Sequence, residues 1–165
     1  MNTKTKEYFI ISIGVLGAII ILLGISINSD IDYVLGSTLL LITAFYYKCT
    51  FFIALEMIII AGHGAALLGL GHSSQIILPI LLCIQLLFYY LLSGKLNDIY
   101  LIVGIIGIVF LTMSLSFGNV LYILLGSIGT AIYSISQVFK GKSIALIWAV
   151  LNVIAIFVTI YKIIY

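Results

Sequence analysis

Short polar interruptions divide this chain into seven apolar segments, roughly Tyr8–Ile27, Tyr33–Tyr47, Thr50–Leu70, Gln75–Ser93, Tyr100–Phe117, Val120–Phe139 and Ser143–Ile164. A helix crossing a bilayer needs about 20 such residues, so each segment is read as one transmembrane helix. The second is the shortest, 15 residues between Asp32 and Lys48. It would span only about 22 Å and would rely on snorkelling of Lys48 and on Tyr33, Tyr46 and Tyr47 at the interfaces. The first segment follows a basic start and so could be read as a signal peptide. Its length suits a spanning helix and no A-x-A cleavage pattern follows, so it is read as a span.

Lysine placement orients the predicted bundle. With seven crossings, Lys4, Lys6, Lys48, Lys95, Lys140 and Lys142 fall on one side and Lys162 alone on the other. Positive loops stay in the cytoplasm, which places the N-terminus inside and the C-terminus outside. Dropping or merging one helix would scatter the lysines over both faces, so the asymmetry also supports the count. Asp30 and Asp32, "GLGHSS" and "SFGN" fall in turns on the outer side.

Composition agrees with lipid as the solvent. Of 165 residues, 64% are hydrophobic and 7% charged, more apolar surface than a soluble core of this size can absorb. The net charge of +2 and the scattered lysines give nucleic-acid binding no support. Cys49 and Cys83 have no metal-type spacing, and no disulfide or metal site is expected. There is likewise no HExxH, no hydrolytic triad and no phosphate loop.

A repeat is visible at an offset of ninety residues. Gly14, Gly17, Ser26, Leu35, Gly36, Ser37 and Ile42 meet identical residues at Gly104, Gly107, Ser116, Leu125, Gly126, Ser127 and Ile132. A two-residue insertion then brings Lys48 onto Lys140 and Glu56 onto Trp148. Helices one to three would correspond to helices five to seven. The fourth, as an odd linker, lets both triplets cross in the same direction, a 3+1+3 parallel repeat. The corresponding units are residues 1–70, the linker 71–96, and residues 97–165.

The stretch "SISQVFKGKSIALIWAVLNVIAIF" places Gln137 before a lysine turn and Trp148 and Asn152 on the helix that follows. Here the sequence resembles the SWEET and PQ-loop superfamily and the similarly organised bacterial carriers of the nicotinamide riboside uptake type. The resemblance covers the architecture of almost the whole chain but few of its motifs. It implies a small transporter without a cofactor, in which Trp148 and Asn152 line the substrate pocket. The chain departs from the pattern in having Ser136 where a PQ proline would stand, its only proline at Pro79, and Glu56 where the other triplet would carry asparagine.

Few polar residues remain to carry chemistry. An ionisable group near the bilayer centre costs about 2.5–3.5 kcal/mol on insertion scales and commonly faces a cavity, a partner or a proton path. Glu56 lies eight residues beyond Lys48 and so near mid-depth, and His63, seven further on, returns to the same face. Both could line one cavity. Trp148 and Asn152, four apart, share a face near the same depth and could present an aromatic plate and an amide to a flat or sugar-like solute. Gln85 could reach the cavity from the linker helix, and Tyr133 and Gln137 could line a cytoplasmic gate. The small residues of "AGHGAALLGLG" would let a neighbouring helix approach closely.

The resulting expectation is a transporter for a small polar solute in a bacterial cytoplasmic membrane, working by alternating access and proton-linked if Glu56 exchanges protons. The alternatives are a membrane-embedded assembly protein whose polar residues only join helices, and an intramembrane enzyme using Glu56 and His63 as acid and base. Oligomeric state is left open by the sequence.

Overall fold

Seven α-helices form in a computed structural model that describes residues 3–165, and their side chains apart from residue 3 and residues 115–117. They are α1 Thr3–Ile27, α2 Asp30–Tyr46, α3 Thr50–Leu67, α4 His72–Leu92, α5 Ile99–Phe117, α6 Val120–Phe139 and α7 Leu146–Ile164, with a 3-10 turn at Ser143–Ala145 leading into the last. No strand occurs among the described residues. Five helical stretches are long and apolar enough to cross a membrane: Lys4–Ile27, Thr50–Leu67, His72–Leu92, Val120–Phe139 and Ser143–Ile164. Helix α2, at 17 residues, and the apolar stretch of α5, Ile99–Ser114, are shorter.

Local chemistry explains where the helices depart from the apolar segments. Helix α2 begins three residues early because Ser29 caps it, its hydroxyl accepting from the Asp32 amide. Asp30 and Asp32, expected in a turn, therefore occupy its first turn, where carboxylates oppose the positive end of the helix dipole. Helix α3 stops at Leu67, short of Leu70, ahead of Gly69 and Gly71, which have φ of +63° and +80°. Such left-handed geometry ends a helix and costs glycine little.

The helices close into a ring. Helix α1 packs on α2, α2 on α3, α3 on α5, α5 on α6, α6 on α7, and α7 back on α1; α4 sits outside, against α3 and α5. Lys162 ties the α1–α7 seam, its ammonium donating to the Ile25 carbonyl at 2.6 Å and to Asn28 Oδ1 at 2.8 Å. This lysine, the exception to the charge asymmetry, thus satisfies a carbonyl at the C-terminal end of α1, where positive charge is favourable.

Several features recur ninety residues apart. A Cβ placed on Gly17 would lie 2.7 Å from the Gly36 carbonyl oxygen, and one on Gly107 would lie 2.9 Å from that of Gly126. The helix pairs α1/α2 and α5/α6 therefore cross at matched glycines, with backbones too close for any side chain. Gly14 faces Thr43 just as Gly104 faces Tyr133. Left-handed Asn28 and the capping Ser29 match left-handed Gly118 and the capping Asn119. Ser116, paired with Ser26 in the sequence comparison, lies outside the described side chains. The "AGHGAALLGLG" stretch plays a smaller packing part than expected: Gly62 is buried, but a Cβ on Gly64 or Gly69 would meet nothing within 4 Å.

Polarity is distributed inside out. Leu16, Leu23, Phe45, Phe88, Val150 and Phe157 are exposed, whereas Ser37, Thr43, Thr130, Ser134 and Thr159 are buried. Water would penalise such a surface by about 25 cal/mol for each Å² of apolar area, and a hydrocarbon solvent does not. Two of the buried hydroxyls are held locally, Ser134 donating to the Thr130 carbonyl and Thr159 to that of Ala155, each at 2.7 Å.

Candidate functional site

Inside the ring lies a cavity of about 370 Å³. It reaches from the α1–α2 and α5–α6 turns, where Asn28 and Gly118 line it, down to Glu56 and Asn152. All six ring helices contribute walls, and α4 supplies none of the described lining. The walls are unlike. Those from α2 and α3 bring Asp30, Tyr33, Glu56 and His63; at the matched positions α6 and α7 bring Val120, Ile123 and Ala155, with Ser127 and Asn152 as their polar groups.

Glu56 forms the floor. It is 1% exposed, and its Oε1 accepts from the Trp148 indole N–H at 2.7 Å. The other carboxyl oxygen, Oε2, is buried and makes no hydrogen bond of normal geometry; the Ser37 hydroxyl, also buried and without such a bond, stands close enough to interact with the same carboxyl. Buried polar atoms are normally satisfied, and two donors can meet this oxygen, the Ser37 hydroxyl or a group entering the cavity. The Glu56–Trp148 bond joins α3 to α7 at positions that overlay in the sequence comparison at the repeat offset.

Trp148 does not line the cavity. It is wholly buried behind Glu56, stacked on Phe52 with centroids 4.3 Å apart and rings inclined by 12°. The expectation that it offers a plate to solute is not met, because its ring face is occupied by Phe52 and its N–H by Glu56. Asn152 does line the cavity, with its amide already engaged: Nδ2 donates to the Trp148 carbonyl at 2.8 Å and Oδ1 accepts from the Thr130 hydroxyl at 2.7 Å. One N–H and one lone pair remain for anything in the cavity.

Glu56 and His63 do face one space, as their spacing implies. His63 sits nearer the mouth, its Nδ1 at 2.6 Å from Asp30 Oδ1 and its ring stacked on Tyr33 at 4.0 Å and 8°. Sequence reasoning missed Asp30 by starting the second helix at Tyr33, and gave Tyr33 itself only an interfacial role. The signal was there: Ser29 followed by two acids is a helix start. Gln85 is not brought to the site; it is exposed on α4. His72 is exposed at the start of α4, and Cys49 and Cys83 are free.

Below Glu56 the ring is plugged by aromatics. Phe51 contacts Tyr133 at 3.9 Å between centroids, Phe52 lies on Trp148, and the two phenylalanines meet edge to face at 5.5 Å. Beyond the plug a second cavity, about 510 Å³, opens at the opposite end, lined by Tyr133, Gln137 and the lysine-bearing turns. Tyr133 and Gln137 are buried there, at the boundary where a gate would act. Asp98 caps α5 and takes a hydrogen bond from the Lys140 ammonium, which holds its carboxyl below the usual range.

No family model, no curated protein and no solved structure matches this chain.

Proposed function

We propose that this chain is a small integral membrane transporter that carries a small polar solute by alternating access. In this reading all seven helices cross the bilayer, as two parallel triplets, α1–α3 and α5–α7, joined by the linker α4, with the N-terminus in the cytoplasm of a bacterial cell. The observation that carries it is the central cavity: a chamber open at one end, walled by both triplets, floored at mid-depth by the buried Glu56 carboxyl, and sealed beyond by aromatics. The recurrent glycine crossings and turns support the repeat, and the seams α1–α7 and α3–α5 are where one triplet would rock on the other. Among the described lining residues the ionisable groups are Asp30, Tyr33, Glu56 and His63, so the solute that fits is one offering hydrogen-bond donors. Glu56, Asn152 and His63 would contact it, and Tyr133 and Gln137 would line the inner gate.

A second reading has support in the same bonds. Glu56–Trp148 and Asn152–Thr130 join helices, as they would in an assembly protein that transports nothing. Proteoliposome uptake separates the two. Solute entry that Glu56→Gln reduces or frees from its pH dependence is the transporter outcome. No uptake from a broad polar-solute screen, or full uptake with unchanged pH dependence in Glu56→Gln, removes the proposed role.

A further inference from the structure

The cavity at the lysine end has a chemistry of its own. Lys48 comes from the α2–α3 turn, Lys95 from the α4–α5 turn, and Lys140 and Lys142 from the turn after α6, and all four line the same space. One carboxylate, Asp98, stands among the described lining residues, and Lys140 occupies it. Lys48, Lys95 and Lys142 have no carboxylate partner among the described residues. Three positive charges from three separate turns thus converge on one concave surface.

The start of α3 adds a second, independent feature. Helices α2, α5 and α6 are each capped by a side chain, from Ser29, Asp98 and Asn119. Helix α3, like α4 and α7, is not: Cys49 stands at its cap position without bonding to it, its thiol turned to the Tyr47 carbonyl at 3.6 Å. Thr50, Phe51 and Phe52, the first three residues of this 18-residue helix, line the lysine cavity. Their amides are left for an outside acceptor, at the end of the helix whose dipole favours negative charge.

Lys48 itself is in an unfavourable conformation. Its φ is +53°, and the residue in the same left-handed place of the α6–α7 turn is Gly141, at +86°, one past the Lys140 that the sequence repeat overlays on Lys48. Glycine adopts this left-handed geometry freely and lysine does not. A glycine would end α2 as well, so the lysine charge can be removed there without disturbing the turn.

We propose that the lysine-end cavity is a binding site for a phosphate-bearing anion, held by Lys48, Lys95 and Lys142 and by the free amides at the start of α3. A phosphate monoester and the headgroup of an anionic lipid offer the same oxygens, and the site reads that shared chemistry. The site is separate from the central cavity, with the aromatic plug between them.

A thermal-shift titration of the full chain in neutral detergent, with sodium phosphate against sodium chloride at matched ionic strength, tests the proposal. A parallel titration uses a short-chain phosphatidic acid against the phosphatidylcholine of equal chain length. Saturable stabilisation by inorganic phosphate, with an apparent Kd raised about tenfold in Lys48→Gly and in Lys95→Gln, is expected. Lys48→Gly relieves strain and keeps the turn, so its loss of response cannot be ascribed to misfolding. Saturation by phosphatidic acid alone, weakened by the same variants, would assign the site to a lipid headgroup. Phosphate no better than chloride together with phosphatidic acid no better than phosphatidylcholine, or an undiminished response in Lys48→Gly, overturns the proposal.

Discussion

Glu56 concentrates the chemistry of this molecule in two oxygen atoms with different surroundings. One is fixed by the Trp148 indole and the other makes no hydrogen bond of normal geometry, with the Ser37 hydroxyl as its neighbour; the residue both ties α3 to α7 and lines the chamber. The two roles separate by mutation. Trp148→Phe keeps an aromatic ring against Phe52 but removes the donor, leaving a buried acceptor unsatisfied. A loss of about 1–3 kcal/mol is expected, read as a lowered unfolding midpoint; an unchanged midpoint would mean that the bond contributes nothing to holding the halves together. The spacing of Glu56 and His63 made their shared face legible in the sequence. That Trp148 would stand behind Glu56 was not, because helical spacing gives a residue's direction and says nothing of what fills the space in front of it.

The helices meet through glycine where the repeat is clearest. Gly17 against Gly36 and Gly107 against Gly126 leave no room for a methyl group, so Gly17→Ala and Gly107→Ala should each destabilise the protein by about 1–3 kcal/mol. Gly64→Ala, with open space around it, should be neutral or stabilising by up to about 1 kcal/mol, because alanine is the better helix former. Thermal denaturation of the three variants side by side checks this, and equal effects at all three sites would contradict the tight crossings. Element boundaries were legible wherever a cap or a left-handed residue marks them. They were misread at α2, where hydropathy excluded two aspartates that the helix dipole accommodates.

At the scale of the whole molecule, two cavities back onto one aromatic plug. If the triplets rock about it, the two spaces open to opposite sides of the membrane. Ile123 lines the central cavity and Cys49 the lysine-end one. In a Cys83→Ser background, Ile123→Cys made together with Cys49→Ser should react with an impermeant thiol reagent from outside intact cells. Native Cys49 should react only in inverted vesicles. Labelling of both from the same side would remove the proposed topology.

Apolar length and lysine placement were enough to determine the helices and the end at which the positive charges gather. Backbone hydrogen bonds in a helix close within a few residues, and charge in short turns needs no distant partner to be read. The ring, the plug and the partners of the Glu56 carboxyl were decided by tertiary packing. Lipid imposes no penalty on an apolar face, so helices greasy on every side carry little record of which face turns inward. Matched glycines and a few buried polar contacts between distant segments make that choice, and it becomes visible only once those segments meet.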